Sequence, residues 1–375
     1  MKKLRVAEIS YWYPTENSYQ GTFVRDITKC ISAHADVVVY HLYVHRGKGI
    51  FSIKKSVTVH ENSFTEHRFE IAGIAYKVFY LFPSLVWFFS KNHFNRTIVR
   101  DFNPQILHAH TVHPAGCYAR LAARKHQIPY AITEHWSRVG SYLSKGFGRI
   151  GGISAYREAR KISAVSAFLS NTIQSQLPEL KIDVISNPVD NAFVPNPSKI
   201  SGQKKLVCCA HWRWPKRPDL IFYGLNACAY KYNFELIVIG SGPVIDALGN
   251  SWSFPIQKFG NLNRSEIAEI FKDAHGFIHA SEIETFGIVV AEALQCGLPV
   301  CASNVGALPD LITEKNGMLV INEIAEWEKA LDIFLSIDWD YQKLAEFHSN
   351  FSFEEIGRKY TAWLTSALSS KENRV

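Results

Sequence analysis

Two glutamates eight residues apart, Glu284 and Glu292, lie in the stretch Ser281-Glu282-Ile283-Glu284-Thr285-Phe286-Gly287-Ile288-Val289-Val290-Ala291-Glu292-Ala293-Leu294-Gln295-Cys296-Gly297-Leu298-Pro299. A carboxylate accepts two hydroxyl hydrogen bonds, which suits a ribose diol at Glu292 and the hydroxyls of a sugar at Glu284. The apolar residues Gly276 to His279 predict a strand. A short loop then leads into a helix expected to begin near Phe286 or Gly287 and to stop at Gly297, two residues before Pro299. The first amides of such a helix have no partner within it, and its dipole favours negative charge, so they form a site suited to a diphosphate. Spacing alone leaves open that the two glutamates are an accident of sequence.

Two other constellations could mimic metal sites. Asp338-Trp339-Asp340 has an Asp-x-Asp form, but it follows the helical run Ile324 to Ser336 and is expected to be a capping turn. His108, His110 and His113 cluster at a predicted strand end with no nearby carboxylate group of matching pattern, so no metal is expected there.

The elements that must position these residues are short β-rich runs alternating with helical patterns. Leu4 to Ser10, Asp36 to Leu42, Gln105 to His108, Tyr130 to Thr133 and Lys161 to Ala164 form one series. Lys205 to Cys209, Glu235 to Ile239, Ile256 to Phe259, Gly276 to His279 and Pro299 to Ala302 form a second. Such alternation implies parallel sheets covered by helices, hence an α/β fold of two Rossmann-like domains. The expected division is 1–190, 191–352 and a terminal helical segment 353–375 that packs back on the first domain, with a Pro-bearing linker at 190–203. Ligands of open α/β sheets sit beyond the carboxyl ends of the strands, so the chemistry is expected in a cleft between the two domains.

Several further blocks follow in order: Gln20-Gly21-Thr22-Phe23, Pro104 to His110, Ile128 to His135, Val165-Ser166, Ile185 to Asp190, Ile239 to Pro243 and Phe259 to Leu262. Together with the paired glutamates, Ser281 and Phe286-Gly287, they resemble the retaining group-1, or family 4, nucleotide-sugar glycosyltransferases of GT-B architecture over nearly the whole chain. The resemblance implies that Lys216, with a neighbouring arginine, neutralises a donor diphosphate. It also implies that the amides of Phe286, Gly287 and Ile288 bind phosphate oxygens and that Leu262 borders the base. Ser281 and Glu292 complete the donor-binding set, and Glu284 and His135 hold the transferred sugar. Gly21 would let the first-domain loop approach the diphosphate without a Cβ clash. A fixed cation at the departing β-phosphate oxygen stabilises the transition state without a metal, so no cofactor is expected. The arginine usual five residues before the lysine is here His211, which leaves Arg213 or Arg217 to supply the second charge.

At 375 residues, 47% hydrophobic and 20% charged, the chain has the composition of a globular protein with two cores. Its net charge of +7 divides into +11 over residues 1–190 (24 Lys+Arg, 13 Asp+Glu) and −4 over 191–375 (17 and 21). A basic first half calls for an anionic partner, a phosphorylated or lipid-linked saccharide acceptor or an acidic membrane surface; no nucleic-acid motif accompanies the charge. The aromatic segment Ile71 to Ser90, followed by Lys91, Arg96 and Arg100, is either a buried crossover helix or a helix lying in a membrane interface, so residues 71–100 are the expected contact with anionic lipid. Lys77 and Pro83 interrupt it too early for a span, which needs about 20 apolar residues. Seven cysteines without a Cys-x-x-Cys pair read as buried thiols in a reducing compartment, and the broken apolar N-terminus as a strand, so a cytoplasmic protein peripheral to the inner membrane face is expected. The expected activity is sugar transfer from a nucleotide-diphosphate sugar, in cell-surface polysaccharide or glycoconjugate synthesis. The alternatives are a nucleotide-sugar epimerase on a similar fold and a non-catalytic sugar-nucleotide or membrane-surface binding protein.

Overall fold

The computed structural model describes residues 3–15, 20–60, 63–198, 202–346 and 351–369, so parts of the 190–203 linker and of the 353–375 segment lie outside the described residues. The chain divides into two compact units: 1–188 together with 353–375, and 189–352.

The first unit is built on β1 (Arg5–Ser10), β2 (Asp36–His45), β3 (Ser52–His60), β4 (Phe64–Ala72), β5 (Ile106–His110), β6 (Tyr130–Glu134), β7 (Lys161–Ala164) and β8 (Ile182–Val184). Their order across the sheet is β3-β4-β2-β1-β5-β6-β7-β8. All neighbours run parallel except β3, which pairs antiparallel with β4 and closes the edge of the sheet. That antiparallel strand departs from the all-parallel expectation. Its residues are mostly exposed and carry Lys54 and Lys55, which protects a free edge from pairing with another chain. β1 and β5 are the point where strand order reverses, so the loops beyond their carboxyl ends splay apart.

One face of this sheet is covered by the helices Thr22–Ser32 and Phe353–Ser369. Val24, Ile27 and Ile31 from the former and Ile356, Tyr360, Trp363 and Leu364 from the latter share one core cluster with Val6, Val37, Val39 and Ile106. The helices approach closely at Gly357, and the Trp363 indole N–H donates to Asp183 at 2.7 Å. The aromatic segment does not form one helix. Phe82 separates Tyr76–Leu81 from Pro83–Phe94, because a proline cannot continue a helix but is well placed to start one.

The second unit holds β9 (Lys204–Cys209), β10 (Phe234–Ile239), β11 (Ile256–Phe259), β12 (Gly276–His279), β13 (Val300–Ser303) and β14 (Gly317–Val320), all parallel, in the order β11-β10-β9-β12-β13-β14. This is the doubly wound order of a dinucleotide-binding fold, and its reversal lies between β9 and β12. The core packs Leu206, Cys208, Leu236, Val238 and Ile278 against Leu220, Leu225, Trp327, Leu331 and Phe334 of the helices Pro218–Cys228 and Ile324–Ser336. Among the described residues no helix is long and apolar enough to cross a membrane.

Candidate functional site

In the second unit the loops leaving β9 and β12 zip together at the reversal point. Glu282 N–H donates to the Pro215 carbonyl at 2.9 Å, Arg217 N–H to the Ala280 carbonyl at 3.0 Å, and Lys216 forms an isolated antiparallel bridge with Ser281. The β9 loop is anchored from its other side by Trp212, which is buried and whose indole N–H donates to the Ile239 carbonyl at 2.9 Å. Two loops distant in sequence thus become one platform, and the Lys216 side chain lies on it.

Lys216 Nζ donates directly to Glu284 Oε1, and His279 Nε2 stands 2.8 Å from that same oxygen and 3.3 Å from Lys216 Nζ. The Lys216 and Glu284 side chains are 18% and 13% exposed, so the pair is largely shielded from water. Burial works against the Glu284 charge, but the Lys216 ammonium and the His279 ring overcome it and hold the carboxyl at about 2. His279 is driven below its ordinary value by burial and by the Lys216 charge, and its neutral ring can donate Nε2–H to the carboxylate. His279 was not singled out from sequence. The available signal was a histidine inside an apolar strand, one residue before Ala280-Ser281.

The helix Ile288–Gln295 starts one or two residues later than expected, with Gly287 in the left-handed conformation as its N-cap. Phe286 is buried and packs edge-on against Phe351, while Ile288 is half-buried. The Val290 and Ala291 amides already donate to the Gly287 carbonyl, so the amides before them form the open end of the helix. Glu292 is 5% exposed on the same helix. Burial and, after it, the Glu292 charge raise the Cys209 thiol at the end of β9 to about 12, with Lys216 opposing them. Lys216 and Glu284 therefore meet at the reversal point, and Gly287 and Glu292 lie on the helix that leaves it after β12.

Ser281 is fully buried, and its hydroxyl is spent on the loop: it donates to the Ile283 carbonyl at 3.0 Å. Ser303 Oγ accepts from its amide at 3.0 Å, and Asn322 Nδ2 donates to its carbonyl at 2.9 Å. Gly306, at φ +57°, lies against the Glu284 carbonyl, where a Cβ would overlap it, and the next amide, Ala307, donates to that carbonyl at 3.0 Å. Asn322 and Gly306 thus brace the Glu284 loop from beneath. Leu262 is half-buried in the loop after β11, just before the helix Arg264–Asp273, whose start is secured by an Asn263–Glu266 capping box. Of the two arginines, Arg217 is engaged by Asp219 at 2.7 Å and by Glu282, whereas Arg213 is exposed.

The remaining expected residues lie on the first unit. His135 follows β6, is 7% exposed, and holds its ring 4.7 Å from that of Phe23, tilted against it. Burial, then the neighbouring His110 and His108, keep it well below the ordinary histidine value. Gly21 caps the helix Thr22–Ser32 at φ +81°, and a Cβ there would overlap the Trp12 backbone, so the glycine is required by the fold itself. The carboxylate expected to be missing near His108 and His110 is present: Glu8, on the adjacent β1, contacts both. His113 instead neighbours Tyr142 and Tyr80. Asp340 accepts from the Lys343 amide at 3.2 Å and caps the helix Tyr341–Glu346.

Residues 20–193 match the model described as Glycosyltransferase Family 4, and residues 192–350 match that described as Glycosyl transferases group 1. The chain is 25% identical over 302 residues to the gpi3 subunit of phosphatidylinositol N-acetylglucosaminyltransferase of Schizosaccharomyces pombe, covering 76% of this chain and 63% of that protein. In structure it resembles a sucrose-phosphate synthase of Thermosynechococcus elongatus (TM-score 0.75, 16% identity, 98% of this chain and 100% of the other). It also resembles HepE of Anabaena, solved with UDP and glucose (TM-score 0.65, 17% identity, 97% and 100%). These structures share the two-domain GT-B fold. The chain spans less than two thirds of the length of the first curated relatives it matches.

Proposed function

We propose that this chain, which belongs to the group 1, family 4 glycosyltransferases, moves a sugar from a nucleotide-diphosphate donor to a saccharide or lipid-linked acceptor with retention of anomeric configuration. The observation that carries this is the largely shielded Lys216–Glu284 pair in the loops that also lead to the open amides before Val290, at the reversal point of the second sheet. A diphosphate needs fixed positive charge and N–H donors, and a sugar needs acceptors for its hydroxyls; this platform supplies both within one loop pair.

In this assignment the amides of Phe286 to Ile288 receive phosphate oxygens, and Lys216 with Arg213 meets the charge that develops on the leaving diphosphate. No metal is required for that neutralisation. Arg213 takes the second position because Arg217 is already held by two carboxylates. Glu292 receives the ribose diol, Leu262 borders the base, and Glu284 holds hydroxyls of the transferred sugar, as does His135 from the first unit. Ser281 contributes by shaping the loop and Gly21 by turning the chain into its helix. The departing phosphate oxygen takes the proton of the incoming acceptor hydroxyl, which arrives on the face that the leaving group vacates. Synthesis of a cell-surface polysaccharide or glycoconjugate is the setting we assign.

A membrane-facing role for the first unit draws support from exposed aromatics. Phe88 is 60% exposed, Phe147 63% and Ile150 77%; Phe82 packs on Phe147 and Phe89 on Phe51. Lys91 Nζ sits 4.8 Å above the Phe88 ring. A basic side chain over exposed apolar rings suits an anionic bilayer surface, at which the protein would sit on the cytoplasmic side.

The test is a panel of UDP-, GDP- and ADP-sugars assayed by thermal shift and by product analysis, with and without saccharide acceptors. One donor should raise the melting temperature of the wild type and be consumed only with an acceptor. Epimerised donor without transfer, or stabilisation that Lys216→Ala leaves untouched, would remove the proposal.

A further inference from the structure

Glu8, His108 and His110 lie on one face of the first sheet, because Glu8 is in register with His108 across β1 and β5 and side chains repeat every second residue. Their side chains are buried to the last oxygen and nitrogen. Burial alone would push the Glu8 carboxyl up, but the two histidines hold it far below its ordinary value, and Thr28 adds a hydroxyl donor.

Two branches leave this carboxylate. In one, His108 Nδ1 stands 3.1 Å from Glu8 Oε1, His108 Nε2 is 2.7 Å from Thr133 Oγ1, and that hydroxyl is 2.8 Å from Ser163 Oγ. This branch closes on hydroxyls that can donate or accept. In the other, His110 Nε2 is 3.2 Å from Glu8 Oε2, and His110 Nδ1 is 3.2 Å from His135 Nε2. It ends at His135 Nδ1, which is buried and has no hydrogen-bond partner among the described residues.

The direction of the protons follows from the anchor. An ionised carboxylate only accepts, so His110 donates Nε2–H to it. A neutral imidazole then has a lone pair at Nδ1, which must receive the Nε2–H of His135. That leaves His135 with a bare Nδ1. The opposite direction needs an imidazolium at His110, and it strands an N–H on His135 in a buried place, where an orphan donor is rarer and costlier than an orphan acceptor.

We propose that the chain Glu8–His110–His135 locks His135 in its Nε2–H tautomer, so that Nδ1 accepts a hydrogen bond from a hydroxyl of the bound sugar, with Glu8 and His110 as positioning residues. The sugar contact rests on the role proposed for His135 above. The Phe23 ring, 4.7 Å away and tilted by 39°, limits rotation of the imidazole. Glu8, His108 and His110 also present atoms within 4.8 Å of one another, the make-up of a three-ligand metal site. The hydrogen-bonded chain fits better, because each ligand atom already has a partner and a metal on His110 Nε2 would displace the proton given to Glu8.

The test uses the full chain labelled with 15N-histidine, with the His135 signals identified by their loss in His135→Asn. Long-range 1H–15N spectra of the sugar-free wild type should show a protonated Nε2 and an unprotonated Nδ1. His110→Phe removes the acceptor; both tautomers should then appear, and kcat should fall about tenfold or more with donor KM little changed. Glu8→Gln should keep the wild-type tautomer, because its carbonyl still accepts from His110, and this second variant guards against a misfolded His110→Phe. A protonated Nδ1 in the wild type, stoichiometric zinc on the purified protein, or a natively melting His110→Phe with an unchanged tautomer would each overturn the proposal. Spectra without sugar also separate the two claims: the expected tautomer in a protein that consumes no donor refutes sugar transfer and upholds the chain.

Discussion

Replacing Lys216 by alanine strands Glu284 with His279 as its remaining side-chain partner, and the cost can be worked out. The Glu284 carboxyl is held at about 2 against an ordinary 4.5. A depression of that size corresponds to about 3 kcal/mol in favour of the ionised form. The Lys216 charge is the largest single influence that lowers it, so on the order of 2 kcal/mol of folded-state stability rests on the lysine. For a unit of this size that is a drop of about 4–8 °C in melting temperature.

The sign of the pH dependence follows from the direction of the shift. A carboxyl whose value is depressed by folding stabilises the fold above its ordinary value and loses that contribution as the pH falls through about 2. The gap between wild type and Lys216→Ala should therefore be full at neutral pH, fall to about half between pH 2 and 3, and nearly vanish below about pH 2. Urea unfolding of both proteins at several pH values, with Glu284→Gln in each background, measures the coupling directly. Equal stability at neutral pH, or a gap that stays constant into acid, would refute the pairing.

Arg213→Ala should weaken nucleoside diphosphate binding about tenfold, or 1.4 kcal/mol, by calorimetry. Arg217→Ala should lower the melting temperature and leave that affinity nearly intact; the reverse outcome would exchange their roles. Phe88→Glu with Phe89→Glu should reduce co-sedimentation with phosphatidylglycerol vesicles about tenfold or more while leaving donor binding unchanged. Wild-type protein that ignores such vesicles at low salt would end the membrane assignment.

The second unit was largely legible in the sequence because most of its parallel strands are short, largely apolar runs bounded by turn residues, as in Phe234–Ile239. β14 escaped notice, since Gly317–Val320 is only four residues long and opens on glycine. On the first unit, Phe64–Ala72 alternates buried and half-buried residues and could have been read as a strand. Its partner Ser52–His60 has almost no buried face, so nothing in its pattern separates an edge strand from a loop. For the site, the paired glutamates and Lys216 were visible as motif residues. The parts that hold them were not: His279, Asn322 and Gly306 meet the Glu284 loop through contacts whose geometry exists only once β12, β13 and β14 lie side by side. Glu8 was hidden for the same reason, because a single acid in a strand gains meaning only when β5 is laid against it.

The helix Phe353–Ser369 belongs to the core of the first unit although it follows the whole of the second unit in sequence. On the ribosome, residues 189–352 emerge with every strand of their own sheet already in hand, whereas the earlier half must wait with the Val24, Ile27 and Ile31 face of its helix uncovered. The first unit therefore gains this core element only after the second unit has been synthesised. Until Ile356, Tyr360 and Leu364 arrive, that apolar strip is available to chaperones and to aggregation.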